Sequence, residues 1–142
     1  SSTMWTERLG FVAANATLKK LKKLNINKKI SQYGIKIKKN WINLATKNNL
    51  QISVTGINAI PSFKFKNKKH LEMTTFFNQE MLKSGFLANN LLATTFAYND
   101  RIINSYLKEV DKVFKKISIS IKKNKLNLKG PIKHSTFRRL TG

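Results

Sequence analysis

The chain has 142 residues, a formal net charge of +22 and no cysteine. This length suits a single domain with one core, and the absence of cysteine excludes disulfide frameworks and thiolate metal sites. No apolar run approaches the roughly 18–20 residues of a membrane-spanning helix, so we expect a soluble, cytoplasmic domain.

The positive charge comes mostly from lysine. Of 28 basic residues, which stand against six acidic ones, only four are arginine: Arg8, Arg101, Arg138 and Arg139. Proteins that recognise bases and phosphates rely on arginine, because its guanidinium group can donate two parallel hydrogen bonds. The chain is also rich in Asn and Ile, which AT-rich codons encode together with Lys, so a solvated lysine surface explains the charge best. The alternative is a small lysine-rich nucleic-acid-binding module. Either interpretation allows weak, sequence-independent binding to nucleic acid.

Helical spacing of apolar residues predicts a helix over 4–48 that is broken near residue 25. Thr3 or Thr6 is placed to cap its N-terminus. The apolar residues recur in two sets, namely Trp5, Leu9, Val12, Ala13 and Ala16, then Ile30, Tyr33, Ile37, Trp41 and Leu44. Paired asparagines in "TKNNL" favour a turn at the C-terminal end.

Residues 52–65 alternate with a period of two, which predicts two antiparallel strands. Ile52 and Val54 alternate with polar residues in the first strand, and Phe63 and Phe65 alternate with lysine in the second. "TGIN" supplies a turn between them, and "NKKH" is expected to be a solvated loop.

A helix is predicted over 75–84, with Thr74 or Thr75 as its cap and Gly85 as a left-handed residue at its end. After it, "FLANN" and "LLATTFA" are interpreted as two short, mostly buried strand segments.

The last predicted helix covers 100–121 and is capped by Asn99. Its expected buried stripe is Ile103, Tyr106, Val110, Val113 or Phe114, and Ile117. The pattern as a whole predicts one domain over 1–122, followed by a basic C-terminal segment over 123–142 that belongs to it. The predicted class is α+β, a small antiparallel sheet with helices packed on one face.

Residues suited to catalysis are few. His70 lies in a lysine-rich stretch and His134 near the end of the chain, both distant in sequence from a carboxylate that could orient them. The six carboxylates show no metal-ligand spacing, and the glycines form no phosphate-binding loop. From its residues alone, the chain is not predicted to be an enzyme.

The opening "SST" could bind an anion. Hydroxyl groups and free N–H groups at the start of a helix form a ready anion site, although Thr3 could simply cap the helix.

The segment "SSTMWTERLGFVAANATL" resembles the segment that follows the cofactor lysine in class III aminotransferases, the group that includes glutamate-1-semialdehyde aminomutase. The similarity continues through "WINLATKNNLQISVTG", "PSFKF", "FFNQEMLKSGFLANN", "AYNDRIINSYLKEVDKVFKKI" and "STFRRLTG", and so covers nearly the whole chain.

The resemblance implies the C-terminal small domain of a fold-type I transferase that uses pyridoxal 5'-phosphate. It implies a homodimer with contacts through the first helix, and a cofactor lysine in a large N-terminal domain that precedes this sequence. We therefore expect the C-terminal part of a longer enzyme, inactive alone, that acts with a small amino donor and acceptor. Thr3 is expected to contact the cofactor phosphate of the neighbouring subunit, with Ser2 beside it where aminomutases have Gly.

Two departures from the family concern the substrate. The segment "LANNLLATTFA" lacks the Phe-Glu pair with which aminomutases reach towards substrate, and Tyr98 stands where they usually have His. The resemblance therefore favours a transaminase acting on another amino donor, sugar or aldehyde over a true aminomutase.

Overall fold

A computed structural model describes residues 7–134. It shows a small α+β domain, which confirms the predicted class. The described part of the chain has the elements α1 (Arg8–Lys23), α2 (Ile26–Lys47), β1 (Ile52–Thr55), β2 (Ser62–Phe65), α3 (His70–Lys83) and α4 (Asp100–Lys122).

The predicted break in the first long helix falls at Leu24 and Asn25, between α1 and α2. Asn25 adopts a left-handed conformation with φ of 48°, which redirects the chain. At the far end of α2, Asn49 has φ of 55°, so the paired asparagines form the predicted turn.

β1 and β2 form an antiparallel pair in which Val54 lies opposite Phe63 and Ile52 lies opposite Phe65. Both phenylalanines are buried, whereas Lys64 between them is exposed on the other face of the strand. The period-two prediction therefore gave the correct strand faces.

Phe63 is the centre of the core. Its ring packs edge-on against Trp41 of α2, Phe77 of α3 and Phe114 of α4, with centroid distances of 4.9, 5.2 and 5.7 Å. Three helices therefore meet one face of the sheet at a single side chain, which confirms the predicted layer arrangement.

α4 agrees closely with its prediction. The Asn99 side chain accepts a hydrogen bond from the Ile102 N–H at 2.9 Å and caps the helix. Every residue of the expected stripe is buried, with Val113 and Phe114 both included, and Leu107 joins them.

The prediction for the third helix was wrong at its N-terminus. α3 begins at His70 and not at residue 75, because Asn67 forms a turn before it and accepts a hydrogen bond from the Lys69 N–H at 2.8 Å. Thr74 and Thr75 consequently lie inside the helix, where their hydroxyls donate to carbonyls four residues earlier. Gly85 has φ of 83°, as predicted.

The two strand segments predicted between α3 and α4 were also wrong. Residues 86–98 run beside β2, but they form only one isolated bridge, between Ser62 and Leu91. Pro61 has no N–H to extend a ladder, and the Asn90 side chain donates to the Phe63 carbonyl. Most of the segment is exposed or half-buried.

The basic segment after α4 lies against α3 as far as it is described. The Lys129 N–H donates to the Gln79 side chain at 2.7 Å, and the Lys133 N–H donates to the Thr75 hydroxyl at 3.0 Å. Leu126 packs against the core from the same segment.

Within residues 7–134, none of the helices has both the length and the apolar character needed to cross a lipid bilayer.

Candidate functional site

The residues with a predicted cofactor contact, Ser2 and Thr3, lie outside the described residues. The described chain starts at Glu7, which is the N-cap residue of α1, so the prediction that Thr3 or Thr6 caps this helix was wrong. The Glu7 side chain makes no capping hydrogen bond, so no side chain caps the first N–H groups of α1 in this part of the chain.

α1 carries an apolar surface that the described residues do not cover. Residues 9–18 contain no charge, and none of the residues of α1 is buried. Leu9, Phe11, Val12 and Leu18, which we call the α1 apolar surface, are each more than half exposed, Leu9 at 75%. Exposed apolar side chains of this kind are typical of an interface with another protein surface.

We expect the α1 apolar surface to drive self-association. Replacing Leu9 and Val12 together by lysine should shift the chain towards monomer in sedimentation equilibrium, because two charges would have to be desolvated at the interface. The matched control is Ile57→Lys, at an isoleucine that is 67% exposed far from α1 in sequence. Equal self-association of the double variant and the wild type would contradict this expectation.

A second feature is a cleft between α2, α4 and residues 86–93. Its volume is about 300 Å³, and apart from Asn89, Tyr98 and Tyr106 its lining is apolar. We call it the α4 cleft. Leu87 and Leu91 at its edge are exposed, whereas Ile37 and Ile103 are buried. The Phe86 and Tyr106 rings meet edge to face with centroids 5.9 Å apart.

Tyr106 is the most deeply buried polar side chain of the α4 cleft, at 5% exposure. Its hydroxyl accepts a hydrogen bond from the indole N–H of Trp41 at 3.1 Å. Burial raises the pKa of the Tyr106 phenol, and the bond from Trp41 opposes this only in part, so the phenol stays neutral. The sequence placed Tyr106 in the core stripe but could not reveal the cleft, because residues 86–93 form it without regular structure.

The two histidines share a small pocket. His70, at the start of α3, and His134 line it together with Lys64, Lys133 and Asn90, and no carboxylate is among its lining residues. Asn90 accepts a hydrogen bond from the Lys133 ammonium at 2.9 Å. The prediction that His70 lies in a solvated loop was therefore wrong, because His70 is the first residue of α3. Across residues 7–134 no group of three His, Cys, Asp or Glu side chains is placed to hold a metal ion.

Phe76 and Phe77 are buried in the core, at 6% and 0% exposure. Buried rings do not offer a stacking platform for bases, so these two aromatics belong to the core, as their place on a nearly neutral helix predicts.

Comparison with known proteins gave no match: neither a family model, nor a curated protein, nor a solved structure is similar to this chain.

Proposed function

We propose that this chain is the C-terminal domain of a class III aminotransferase that uses pyridoxal phosphate. In the whole enzyme it contributes one wall of the active site, a contact to the cofactor phosphate through Thr3 with Ser2 beside it, and part of a homodimer interface. The cofactor lysine belongs to the large domain that precedes this sequence. When bound, pyridoxal phosphate supplies the electron sink needed for amino-group transfer.

The α1 apolar surface is the observation that carries the proposal. A helix that is uncharged over residues 9–18 and exposed on this domain is suited to packing against another protein surface. The resemblance assigns such a role to this same helix, as a dimer contact.

The start of α1 also suits a phosphate group. Its first N–H groups lack a side-chain cap at Glu7, and the helix dipole places partial positive charge there. Arg8 follows directly and adds a full positive charge, which offsets the negative charge of Glu7. Thr3 lies a few residues earlier in sequence, so its hydroxyl could donate to a phosphate held at this end of the helix.

The substrate is proposed to differ from that of an aminomutase. The α4 cleft lies beside the segment that departs from aminomutases, and Tyr98, which replaces their usual His, lines this cleft. The missing Glu removes a negative charge from this side of the proposed active site, and Tyr98 in place of His removes a group that titrates near neutral pH. The proposal is therefore a transaminase acting on some other small amino donor and acceptor.

The test starts with the reading frame upstream of Ser1. We expect several hundred codons that encode a large domain with a strand-borne lysine. In the complete enzyme, Thr3→Ala should weaken pyridoxal phosphate binding at least about tenfold, because a hydrogen bond to a charged phosphate contributes about 1.5–3 kcal/mol. The measurement is a titration of the apoenzyme followed by cofactor absorbance.

Thr6→Ala is the matched control, since it removes a nearby hydroxyl that has no expected phosphate contact. The isolated chain should bind pyridoxal phosphate only at random surface lysines. Saturable one-to-one binding by the isolated chain would contradict the proposal, and so would a start codon directly before Ser1. In the latter case, tight and salt-resistant binding to nucleic acid would instead support the lysine-rich module.

A further inference from the structure

The α4 cleft has the size and lining of a small-molecule site. A volume of about 300 Å³ lies at the lower end of the range for ligand pockets, which are mostly apolar with a few polar groups. None of the residues between 7 and 134 that line it is charged. An ionised ligand would lose its hydration there without a partner of opposite charge, so the cleft favours a neutral one.

Tyr106 lines this cleft and carries a hydroxyl group that can donate a hydrogen bond. Its hydroxyl oxygen already accepts from Trp41, and within residues 7–134 no acceptor takes the hydroxyl proton. A buried donor without an acceptor is unfavourable, so a ligand that accepts this proton would bind more tightly than one that does not. Tyr98 differs in this respect, because its hydroxyl donates to the Ala93 carbonyl at 3.4 Å.

We propose that the α4 cleft binds a small, neutral, largely apolar compound that carries one carbonyl group, of the aryl ketone or aryl aldehyde type. The carbonyl oxygen accepts a hydrogen bond from the hydroxyl group of Tyr106. The apolar body packs among Phe86, Leu92 and Ile103. The Phe86 and Tyr106 rings lie at this place and favour contact with a further aromatic ring. The cleft would bind such a compound whether or not the chain belongs to an aminotransferase.

Acetophenone and ethylbenzene are matched probes, because they share size and shape and differ in the carbonyl group. Binding to the complete 142-residue chain is followed by chemical shifts of backbone amides in residues 86–93 during titration. We expect saturable binding of both probes, with acetophenone about fivefold to tenfold tighter, as one hydrogen bond would give.

Tyr106→Phe should abolish the preference for acetophenone and leave ethylbenzene binding unchanged, since the ring and the cleft volume remain. Tyr98→Phe is the control and should keep the preference. If Tyr106→Phe fails to fold because the Trp41 N–H loses its acceptor, Ala88→Leu provides a second test: it fills the cleft and should prevent binding of both probes.

Absence of saturable binding by either probe would overturn the proposal. So would equal affinity for the two probes in the wild type, or a preference for acetophenone that survives in a folded Tyr106→Phe variant.

Discussion

Replacing Gly34 by alanine is expected to destabilise the folded chain by about 3 kcal/mol or more, although alanine is the better helix former. A methyl group at Gly34 of α2 would lie 1.5 Å from the backbone oxygen of Asn58, in the connection between β1 and β2. Backbone cannot rotate aside as a flexible side chain can, so the connection would have to move away from α2.

That movement would also break polar contacts. The Lys38 ammonium donates to the Gly56 carbonyl at 2.6 Å and to the Asn58 side chain at 3.1 Å, and the Asn58 amide donates to Ser31 at 3.3 Å. These contacts hold the turn on α2, so Gly34→Ala loses them together with the close packing.

Gly10→Ala is the matched control for this variant. Gly10 also lies within a helix, but a methyl group there meets no atom of residues 7–134 within 4 Å. We expect Gly10→Ala to be neutral or slightly stabilising in chemical denaturation, as helix propensity dictates. A free energy of unfolding for Gly34→Ala within about 1 kcal/mol of the wild type would contradict the packing of the turn on α2.

α4 and the strands were predictable because their patterns are local and regular. Asn99 followed by a stripe at 3.6-residue spacing specifies a capped amphipathic helix with one buried face. The alternation around Phe63 and Phe65 likewise specifies which face of β2 is buried. In both cases the sequence period and the buried face coincide, so no tertiary information was needed.

The start of α3 and the 86–98 segment were not predictable in this way. Thr74 and Thr75 resemble N-cap residues in sequence, but the turn at Asn67 starts the helix earlier. The apolar residues of the 86–98 segment suggested strands, yet a ladder needs N–H groups on the partner strand, and Pro61 has none. The α4 cleft depends on this irregular segment and could not be anticipated from periodicity.

α1 shows a different limit of sequence analysis. The spacing of Leu9 and Val12 predicted an apolar helical face, and the structure shows the helix with that face exposed. The periodicity of a sequence indicates that one face of a helix is apolar, but it does not indicate which protein surface packs against that face. The family resemblance names a dimer partner, and the Leu9 and Val12 variants test that assignment.

Glu80 is expected to make the stability of the chain depend on pH. It is 5% exposed, on α3, and its carboxylate accepts hydrogen bonds from Lys116 of α4 at 2.7 Å and from Gln79 at 3.2 Å, with Lys83 bonded to the same group. Burial alone would raise the pKa of Glu80, but these bonds outweigh it and lower the pKa to about 2 from 4.5.

Because the pKa of Glu80 is lower in the folded chain, the unfolded chain takes up the proton first as the pH falls. The stabilisation is therefore complete above about pH 4.5 and is lost between pH 4.5 and pH 2. The fall in pKa sets an upper limit of about 3 kcal/mol. We expect Glu80→Gln to lower the free energy of unfolding by about 2 kcal/mol at pH 7 and by about half of that or less at pH 3, where part of the stabilisation is already lost.

Glu109→Gln is the control for this effect. Glu109, on α4, pairs with Lys112 on the protein surface at 2.6 Å, and such pairs contribute little because solvent screens them.

Other carboxylates also titrate in acid. Burial would raise the pKa of Asp111, but bonds from Lys47 and Asn48 lower it, and its effect is common to the wild type and both variants. A Glu80→Gln difference that is the same at pH 3 and pH 7 would show that Glu80 stabilises α3 and α4 by packing and not by its charge.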